Sequence, residues 1–176
     1  MITTTSPNPA SILSTSTPGN NQKNDYLGEI GPLKRALDIV GALVGLTLSA
    51  PLMMIIGILI HRESPGSVIY TQKRVGRGGK LFTIFKLRSM KFDSETGGPG
   101  WTIKNDPRCL KIGKFIRAWN LDEVPQFWNV LKGDMSLVGP RPERPEHIER
   151  LCEETPGWDK RFAVKPGLTG LAQLKG

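Results

Sequence analysis

The strongest constraint on how this 176-residue chain can fold is a long apolar segment that contains a proline. From Ile39 to Ile60 the segment carries no charged side chain. In a helix, about 22 such residues are long enough to cross a hydrocarbon core of about 30 Å. The sequence therefore predicts that this segment contacts a membrane and tethers the rest of the chain to it.

Pro51 leaves two interpretations of that segment open. Proline lacks an N–H group, so the carbonyl of Thr47 loses its helical partner, and we expect a bend near Ser49 at which the serine hydroxyl can bond a freed carbonyl. Basic residues stand on both sides, Lys34–Arg35 before the segment and His61–Arg62 after it. Because positive charge at membrane ends favours the cytoplasm, these flanks favour a segment that enters one leaflet and returns. A proline-kinked span is the alternative.

The remaining sequence divides into a tail and one domain. Residues 1–30 are rich in Ser, Thr, Pro and Asn, and they cannot bury enough apolar surface to offset the entropy lost on ordering, so we predict a disordered tail. Residues 34–62 form the predicted membrane helix. The following 63–176 segment, about 115 residues, is long enough for one small domain with its own core. The expected fold class is α+β, with a re-entrant membrane helix and a small cytosolic domain of mixed helices and short strands.

The charge balance restricts the class of partner. A net charge of +8 and a pI of about 9.7 indicate an acidic partner, such as nucleic acid, anionic lipid or a phosphorylated substrate. The membrane segment favours the last two, and no nucleic acid is expected because no aromatic platform is interleaved with the basic residues. Cys109 and Cys152 lack metal-ligand spacing, which indicates free thiols in a reducing compartment.

Two extended runs are predicted to pair after the apolar segment. They are Val68–Thr71 and Leu81–Leu87, and the glycine-rich turn between them lacks the spacing of a phosphate-binding loop. On the second strand, the alternation of side chains places Lys86 and Arg88 on one face. Two cations on one strand face are either a solvated edge or an anion clamp, and the pattern alone leaves both open.

Two helices with one buried face each are predicted farther along. The first begins at Asp106–Pro107, and the second begins at Asn120 and ends at Gly133. The predicted buried residues recur with i, i+3, i+4, i+7 spacing and are Ile112, Phe115, Ile116 and Trp119 in the first helix and Val124, Phe127, Trp128 and Leu131 in the second.

The start of the second predicted helix carries two adjacent acids, Asp122 and Glu123. The helix dipole favours anions there, so these acids either compensate the dipole or supply ionised carboxylates for chemistry. Arg141 lies between two prolines, which restrict its backbone and thereby the direction of its guanidinium. A guanidinium held in one place suits bidentate recognition of phosphate or carboxylate.

Five sequence blocks resemble, in order, the signature blocks of the bacterial sugar transferases known as monotopic polyprenyl-phosphate phosphoglycosyl transferases. The blocks are Lys34–Asp38, Phe85–Met90, Leu121–Gln126, Asn129–Pro142 and Lys165–Gly170. The resemblance implies an enzyme that transfers a sugar 1-phosphate from a UDP-sugar to polyprenyl (undecaprenyl) phosphate and releases UMP. Such a reaction initiates synthesis of a glycan such as an exopolysaccharide, a capsule or an O-antigen.

The resemblance also implies roles for particular residues. Asp122 would be the nucleophile that forms an aspartyl-phosphosugar intermediate, and Mg²⁺ would bind near Glu123 and Asp122. Lys86, Arg117 and Arg141 match the basic site positions of the family and are the expected substrate-binding cations, and Arg88 is added to them because it shares a strand face with Lys86. The membrane helix would be re-entrant, with its break at Ser49 and Pro51, and would lie among the lipids of the bacterial inner membrane, with the domain on the cytoplasmic face.

The chain departs from the family pattern at its C-terminal end. Family members continue for several tens of residues beyond a Gly-Leu-Thr-Gly sequence, whereas this sequence stops at Gly176, so the catalytic domain is expected to be C-terminally short. An alternative function follows, that of a catalytically impaired membrane-bound relative with an interaction or regulatory role. The sequence leaves open the sugar, a homodimer, and whether the Gly97–Trp101 loop is a lid or an ordinary surface loop.

Overall fold

A computed structural model describes residues 31–91, 94 and 106–175. The predicted tail (1–30) and the Gly97–Trp101 loop lie outside the described residues. Within them, the helices are α1 (Pro32–Glu63), α2 (Lys111–Ala118), α3 (Gln126–Lys132), α4 (Pro145–Glu154) and α5 (Leu171–Lys175). The strands are β1 (Ile69–Val75), β2 (Leu81–Leu87), β3 (Ser136–Val138) and β4 (Gly167–Thr169), and short 3₁₀ turns occupy Arg77–Gly79, Leu121–Glu123 and Trp158–Ala163. The chain is therefore a mixture of helices and short strands, as the α+β prediction required.

Helix α1 contains the apolar segment and runs through Pro51 as one helix of 32 residues. The Ser49 hydroxyl donates hydrogen bonds to the carbonyls of Gly45 (2.6 Å) and Leu46 (3.3 Å). The hydroxyl thus bonds two other carbonyls instead of that of Thr47, and the bend expected near Ser49 stays a prediction. A serine hydroxyl reaches carbonyls three and four residues earlier, and this bonding is one known cause of helix bending.

Most of α1 is exposed rather than packed against the domain. Its most apolar 18-residue window has a mean hydropathy of 2.4 and is only 11% buried among the described residues, so by length and composition the helix could cross a membrane. The exposed large apolar residues include Leu37, Val40, Leu43, Val44, Leu48, Met54, Ile55 and Ile58. An apolar stripe of this size on a folded protein indicates a surface that is covered by lipid or by another protein.

The two predicted strands form an antiparallel hairpin, which confirms that prediction, although β1 starts one residue later and extends to Val75. In its register Tyr70 lies opposite Lys86. A second, parallel pair joins β3 to β4, with Ser136 opposite Gly167. The sequence did not predict this pair, because two three-residue strands give too little alternation to recognise.

The core has two main clusters, and each half of α1 contributes to one of them. Ala42 packs with residues of β2, α3 and the segment before β3, namely Phe82, Ile84, Val130 and Met135. Ile56 and Ile60 pack with residues of β2 and α2 and of the loop between them, namely Leu87, Leu110 and Ile116. Both halves of the apolar helix are therefore attached to the same domain.

The first predicted helix differs from the observed α2 in start and in buried face. It begins at Lys111 rather than at Asp106, whose carboxylate instead bonds the backbone and guanidinium of Arg108. Ile116 is buried as predicted, but Phe115 and Trp119 are exposed. The reason is that α2 meets the loop after β2 through Gly113, where a Cβ would lie 2.0 Å from the Ser89 carbonyl oxygen, so the aromatic residues point outwards.

The second predicted helix is divided into two elements. A 3₁₀ turn at Leu121–Glu123 comes first, and α3 begins only at Gln126. The acids therefore precede α3 by a turn, and the dipole argument made for them does not apply directly. Gly133 ends α3 as predicted, with a φ of 91° that favours glycine. Of the residues predicted to be buried in this helix, Trp128 is exposed.

Candidate active site

The 3₁₀ turn at Leu121–Glu123 places the two acidic side chains just below the protein surface. It is entered through Asn120 in a left-handed conformation (φ 55°), and the Glu123 N–H donates to the Asn120 carbonyl at 3.1 Å. Asp122 is 9% exposed, and Glu123 is partly buried. This turn places two neighbouring carboxylates at different depths and in different electrostatic surroundings.

Glu123 is clamped by two cations. One of its oxygens, Oε1, accepts hydrogen bonds from Lys86 Nζ and from Arg141 Nη2, each at 2.8 Å. Burial alone would raise the pKa of Glu123, but the charges and hydrogen bonds of Lys86 and Arg141 outweigh burial, so its pKa is lowered. Glu123 is therefore a stable carboxylate that holds the two cations in place.

Asp122 has the opposite balance. Burial raises its pKa, the negative charge of Glu123 raises it further, and the positive charges of Lys86 and Arg117 only partly offset these effects. Among the described residues Asp122 forms no ion pair within 4 Å, and its own backbone N–H is the donor that stabilises its charge. A buried carboxylate with cations nearby but none in contact keeps its lone pairs available for a nucleophilic reaction.

The four predicted cations do not all lie at this site. The structure brings Lys86 and Arg141 to Glu123, and Arg117, in the last turn of α2, lies close enough to lower the pKa of Asp122. Arg117 also approaches the Cys109 sulfur, at 3.9 Å from Nη1 to Sγ.

Arg88, which is also predicted to bind substrate, lies apart from the carboxylate pair in this structure. The strand ends at Leu87, and the Arg88 guanidinium is buried where it donates to the carbonyls of Ser64 and Pro65, the latter at 3.3 Å. It therefore binds the backbone just beyond α1 and not the carboxylate pair. Neighbouring Glu63 makes a second tie there, because its carboxylate accepts from the N–H groups of Lys111 (2.6 Å) and Ile112 (3.1 Å).

Asn129 is a positioning residue that the sequence did not reveal. It is fully buried on α3, and its side chain pairs with the backbone of β2, accepting from the Phe85 N–H at 3.1 Å and donating to the Thr83 carbonyl at 2.7 Å. These bonds fix α3 against the strand that carries Lys86. The only available signal was that asparagine is unusual inside a helix unless its amide has a specific partner.

A second group that the sequence did not assign joins α1 to the domain. The buried Asp38 carboxylate accepts from Ser136 Oγ and the Leu137 N–H, each at 3.0 Å, and lies 3.4 Å from Lys34 Nζ. Arg35 donates to the carbonyls of Val130 (2.7 Å) and Leu131 (2.8 Å) at the end of α3. The Lys34–Asp38 block is therefore a structural joint between the apolar helix and the domain.

The acids alone do not make a complete metal site. Within the described residues no three His, Cys, Asp or Glu side chains converge where a metal ion could bind. Mg²⁺, however, is commonly held by one or two carboxylates together with substrate phosphates and water. Asp122 and Glu123 are enough for that mode of Mg²⁺ binding. They are too few for a site in which the protein alone supplies every ligand.

The described residues therefore combine an exposed apolar helix, long enough to cross a membrane, with a domain that carries a carboxylate pair among cations. The chain belongs to the bacterial sugar transferase family, whose pattern it matches over residues 30–176.

Three relatives illustrate the similarity. A Bacillus subtilis protein, provisionally named an undecaprenyl-phosphate N-acetylgalactosaminyl 1-phosphate transferase, is 54% identical over 130 residues, which cover 74% of this chain and 73% of the relative. An Aeromonas hydrophila UDP-N-acetylgalactosamine-undecaprenyl-phosphate N-acetylgalactosaminephosphotransferase is 45% identical over 81% of this chain and 34% of its own length. A Caulobacter vibrioides UDP-glucose:undecaprenyl-phosphate glucose-1-phosphate transferase is 42% identical over 81% of this chain and 54% of its own length. The chain thus spans about a third to a half of the last two relatives.

Proposed function

We propose that this protein transfers a sugar 1-phosphate from a UDP-sugar to undecaprenyl phosphate. The observation that carries the proposal is the contrast within the acid pair, a clamped Glu123 beside a buried Asp122 that no cation contacts. The names of the relatives support the substrates, because they specify undecaprenyl phosphate and, in two cases, a UDP-sugar. The expected product, a lipid-linked sugar diphosphate, would initiate polysaccharide synthesis.

The proposed reaction has two displacements at one phosphorus atom. An Asp122 carboxylate oxygen bonds to the phosphorus that carries the sugar, and the bond from that phosphorus to the bridging oxygen breaks, so UMP leaves with the electron pair. A phosphate oxygen of undecaprenyl phosphate then attacks the same phosphorus and releases the Asp122 carboxylate. The Asp122 carboxylate and the phosphates of the donor are both negative and repel each other. Lys86, Arg117 and Arg141 can bind the phosphate oxygens and reduce this repulsion.

Asp122 and Glu123 would hold the proposed Mg²⁺ together with the diphosphate of the donor. When bound, the ion would supply positive charge that neutralises phosphate oxygens and orients the donor. Lys86 and Arg141 already bond Oε1 of Glu123, and among the described residues no side chain bonds Oε2, so this oxygen remains available as a metal ligand.

We further propose that α1 inserts into one leaflet and that the domain lies on the cytoplasmic face. Support comes from the two ends of the helix, since Arg35 bonds the end of α3 and Glu63 bonds the start of α2. A single straight crossing would place those ends on opposite sides of a core of about 30 Å, and one small domain cannot occupy both sides. The basic flanks favour the cytoplasm.

Exposed aromatic residues support contact with lipid beyond α1 itself. Phe115 on α2, Trp119 at the C-cap of α2 and Trp128 on α3 are all more than half exposed, Trp119 by 70%. Lys111 and Lys114 lie on α2 beside the first two. Aromatic rings beside lysines are typical of helices that rest at the level of lipid headgroups, where undecaprenyl phosphate presents its phosphate.

The activity is tested by measuring UMP release from a panel of UDP-sugars with undecaprenyl phosphate and Mg²⁺, using detergent-solubilised protein. Release with one sugar, abolished by Asp122→Asn and retained by the exposed control Asp159→Asn, is the expected result and identifies the sugar. Release that survives Asp122→Asn contradicts the assignment of the nucleophile. No release with any sugar from a folded wild-type protein favours the interaction or regulatory role.

The topology is tested separately by labelling single cysteines with a membrane-impermeant maleimide. Cysteines are introduced at two exposed positions, Leu33 and Arg62, after Cys109 and Cys152 are replaced by serine. One-leaflet insertion predicts that both positions react from the cytoplasmic side in inside-out vesicles and neither reacts from the other side. Reaction from opposite sides would establish a span.

A further inference from the structure

The start of α2 lacks the features that usually cap a helix. Its N-cap residue is Leu110, whose apolar side chain accepts no hydrogen bond, and its first turn contains no acid. Lys111 and Lys114 instead bring positive charge to the end of the helix where the dipole is already positive. A helix of eight residues with such a start has little stability of its own, so a partner from elsewhere in the chain is needed to fix it.

Glu63, the last residue of α1, supplies the missing cap. Its carboxylate oxygens accept from the N–H groups of Lys111 and Ile112, the first two residues of α2, although Glu63 precedes Lys111 by 48 residues. Two N–H groups that have no partner inside the helix are thereby bonded, and a negative charge lies at the positive end of the dipole. The cap of α2 therefore comes from the end of the apolar helix.

Helix α2 is attached to the C-terminal part of α1 near both of its own ends. The Ser64 N–H donates to the Ile60 carbonyl at 2.9 Å and closes the last turn of α1, which holds Glu63 at the end of a regular helix. Near the other end of α2, Ile116 is fully buried in the cluster that contains Ile56 and Ile60. A polar contact at one end and an apolar contact at the other determine the direction of α2.

Arg117 is the residue of α2 that reaches the candidate active site. It follows the buried Ile116 in the last turn, six residues after Lys111 and about 9 Å from it along the helix axis. Its positive charge acts on Asp122, and its Nη1 atom lies 3.9 Å from the Cys109 sulfur. The role of Arg117 rests on the proposed function, in which it binds phosphate oxygens of the donor.

We infer that Glu63 is a positioning residue, which caps α2 from the end of α1 and thereby holds Arg117 where it can bind the phosphates of the donor. Lys86 and Arg141 do not depend on this cap, because each is bonded to Glu123. The cations around the carboxylate pair are thus fixed in two ways, two of them by an acid of the site and Arg117 by the end of the apolar helix.

The test measures two properties of the detergent-solubilised full chain, the equilibrium binding of inorganic pyrophosphate and the amide hydrogen exchange of α2. Glu63→Ala should speed exchange at Lys111 and Ile112 and weaken pyrophosphate binding by about threefold or more, because the helix loses its cap. Glu63→Gln keeps an oxygen acceptor without the charge, so its affinity should lie between those of Glu63→Ala and the wild type. The matched control is Glu146→Ala, which removes an exposed acid from the first turn of α4 and should change neither property.

Two double-mutant cycles separate positioning from a general loss of structure. In an Arg117→Met background, Glu63→Ala should weaken pyrophosphate binding by less than about twofold further, because the cation that the cap positions is already absent. In an Arg141→Met background the full weakening should remain, because Arg141 is held by Glu123. A general loss of structure would weaken binding equally in both backgrounds.

Three results would overturn the inference. They are equal weakening by Glu63→Ala in the two backgrounds, unchanged binding in Glu63→Ala protein whose α2 exchanges faster, and unchanged binding in Arg117→Met protein. If Glu63→Ala does not fold, Glu63→Gln is used in the same cycles. Pyrophosphate binding is read without turnover, so a wild-type protein that releases no UMP but shows the coupling between Glu63 and Arg117 would contradict the proposed reaction and retain the positioning role.

Discussion

Two regions of this molecule bury an aspartate beside a lysine, and they use it differently. At the joint between α1 and the domain, Asp38 accepts two hydrogen bonds at 3.0 Å and lies 3.4 Å from Lys34. At the acidic turn, Asp122 has comparable burial but no side chain in contact that neutralises it among the described residues. A buried carboxylate whose oxygens accept hydrogen bonds stabilises the fold. A buried carboxylate without such partners lowers stability and remains available for reaction.

The largest effect on activity is expected from replacing Asp122, the carboxylate without a neutralising partner. Asp122→Asn should lower UMP release by at least about 10³-fold, because the nucleophile is lost while the surrounding cations remain. It should not lower the free energy of unfolding. The folded-state pKa of Asp122 is raised by burial, so its ionised form is penalised in the folded protein above its ordinary pKa, and a neutral amide avoids that penalty.

The measurement pairs UMP release with chemical unfolding in the same detergent at pH 7. The exposed Asp159→Asn variant provides the baseline for both. A loss of activity accompanied by a matching loss of stability would mean that Asp122 is structural, like Asp38, and the contrast between the two regions would fail.

The next effect concerns the cation shared by both acids of the turn. Lys86 lowers the pKa of Asp122, so Lys86→Met should raise that pKa further. Because the reaction needs ionised Asp122, the acidic limb of the pH–rate profile should move to higher pH, and the rate at neutral pH should fall by about ten- to a hundredfold. In the same variant Glu123 loses one of the two cations that lower its pKa, so the pKa of Glu123 should also rise.

Lys73→Met is the matched control for this shift. Lys73 lies on β1, and its ammonium bonds the Thr83 hydroxyl at 2.9 Å instead of a carboxylate. Its replacement should leave the acidic limb where it is in the wild type. An acidic limb that stays in place in Lys86→Met, or moves to lower pH, would rule out the electrostatic role given to Lys86.

A third and smaller effect on catalytic activity is expected from replacing Asp38, the carboxylate that is already hydrogen-bonded. Asp38→Ala removes the acceptor of both the Ser136 O–H and the Leu137 N–H, so the free energy of unfolding should fall by about 1–3 kcal/mol. Activity per folded molecule should fall by less than about tenfold, because Asp38 contacts no group of the acidic turn. Denaturant titration and UMP release, normalised to folded protein, separate the two quantities. Unchanged stability with lost activity would assign Asp38 to the chemistry instead.

The two regions also differ in how far the sequence could predict them. The acid pair and Arg141 were found because the acids are adjacent and the arginine stands between prolines, which are local signals. Asp38 bonds Ser136, which is 98 residues away in the sequence, and Asn129 bonds Phe85, which is 44 residues away. Local sequence patterns do not identify hydrogen-bond partners this far apart. The hairpin was predicted because two alternating runs flank a glycine-rich turn.

Periodicity failed in a particular way on the short helices. It identified Phe115, Trp119 and Trp128 as members of an apolar face, and all three are exposed. An i, i+3, i+4 pattern states that residues share a face, but not whether protein or lipid covers that face. The sequence pattern alone does not separate these two cases, whereas the burial of Ile116 and the placement of Gly113 against Ser89 show which side of α2 meets the domain.

The smallest effect on substrate binding is expected at Arg88, because its guanidinium lies away from the carboxylate pair. Its guanidinium bonds the carbonyls after α1, whereas Arg141 bonds Glu123, so the two arginines belong to the two different regions. Arg88→Met should therefore leave pyrophosphate binding within about twofold and lower the thermal midpoint, since the carbonyls of Ser64 and Pro65 lose their donor. Arg141→Met should weaken pyrophosphate by about tenfold or more, because a charge-assisted contact is lost. If Arg88→Met weakened pyrophosphate binding as much as Arg141→Met and melted at the wild-type temperature, Arg88 would belong to the substrate-binding group, as the sequence predicts.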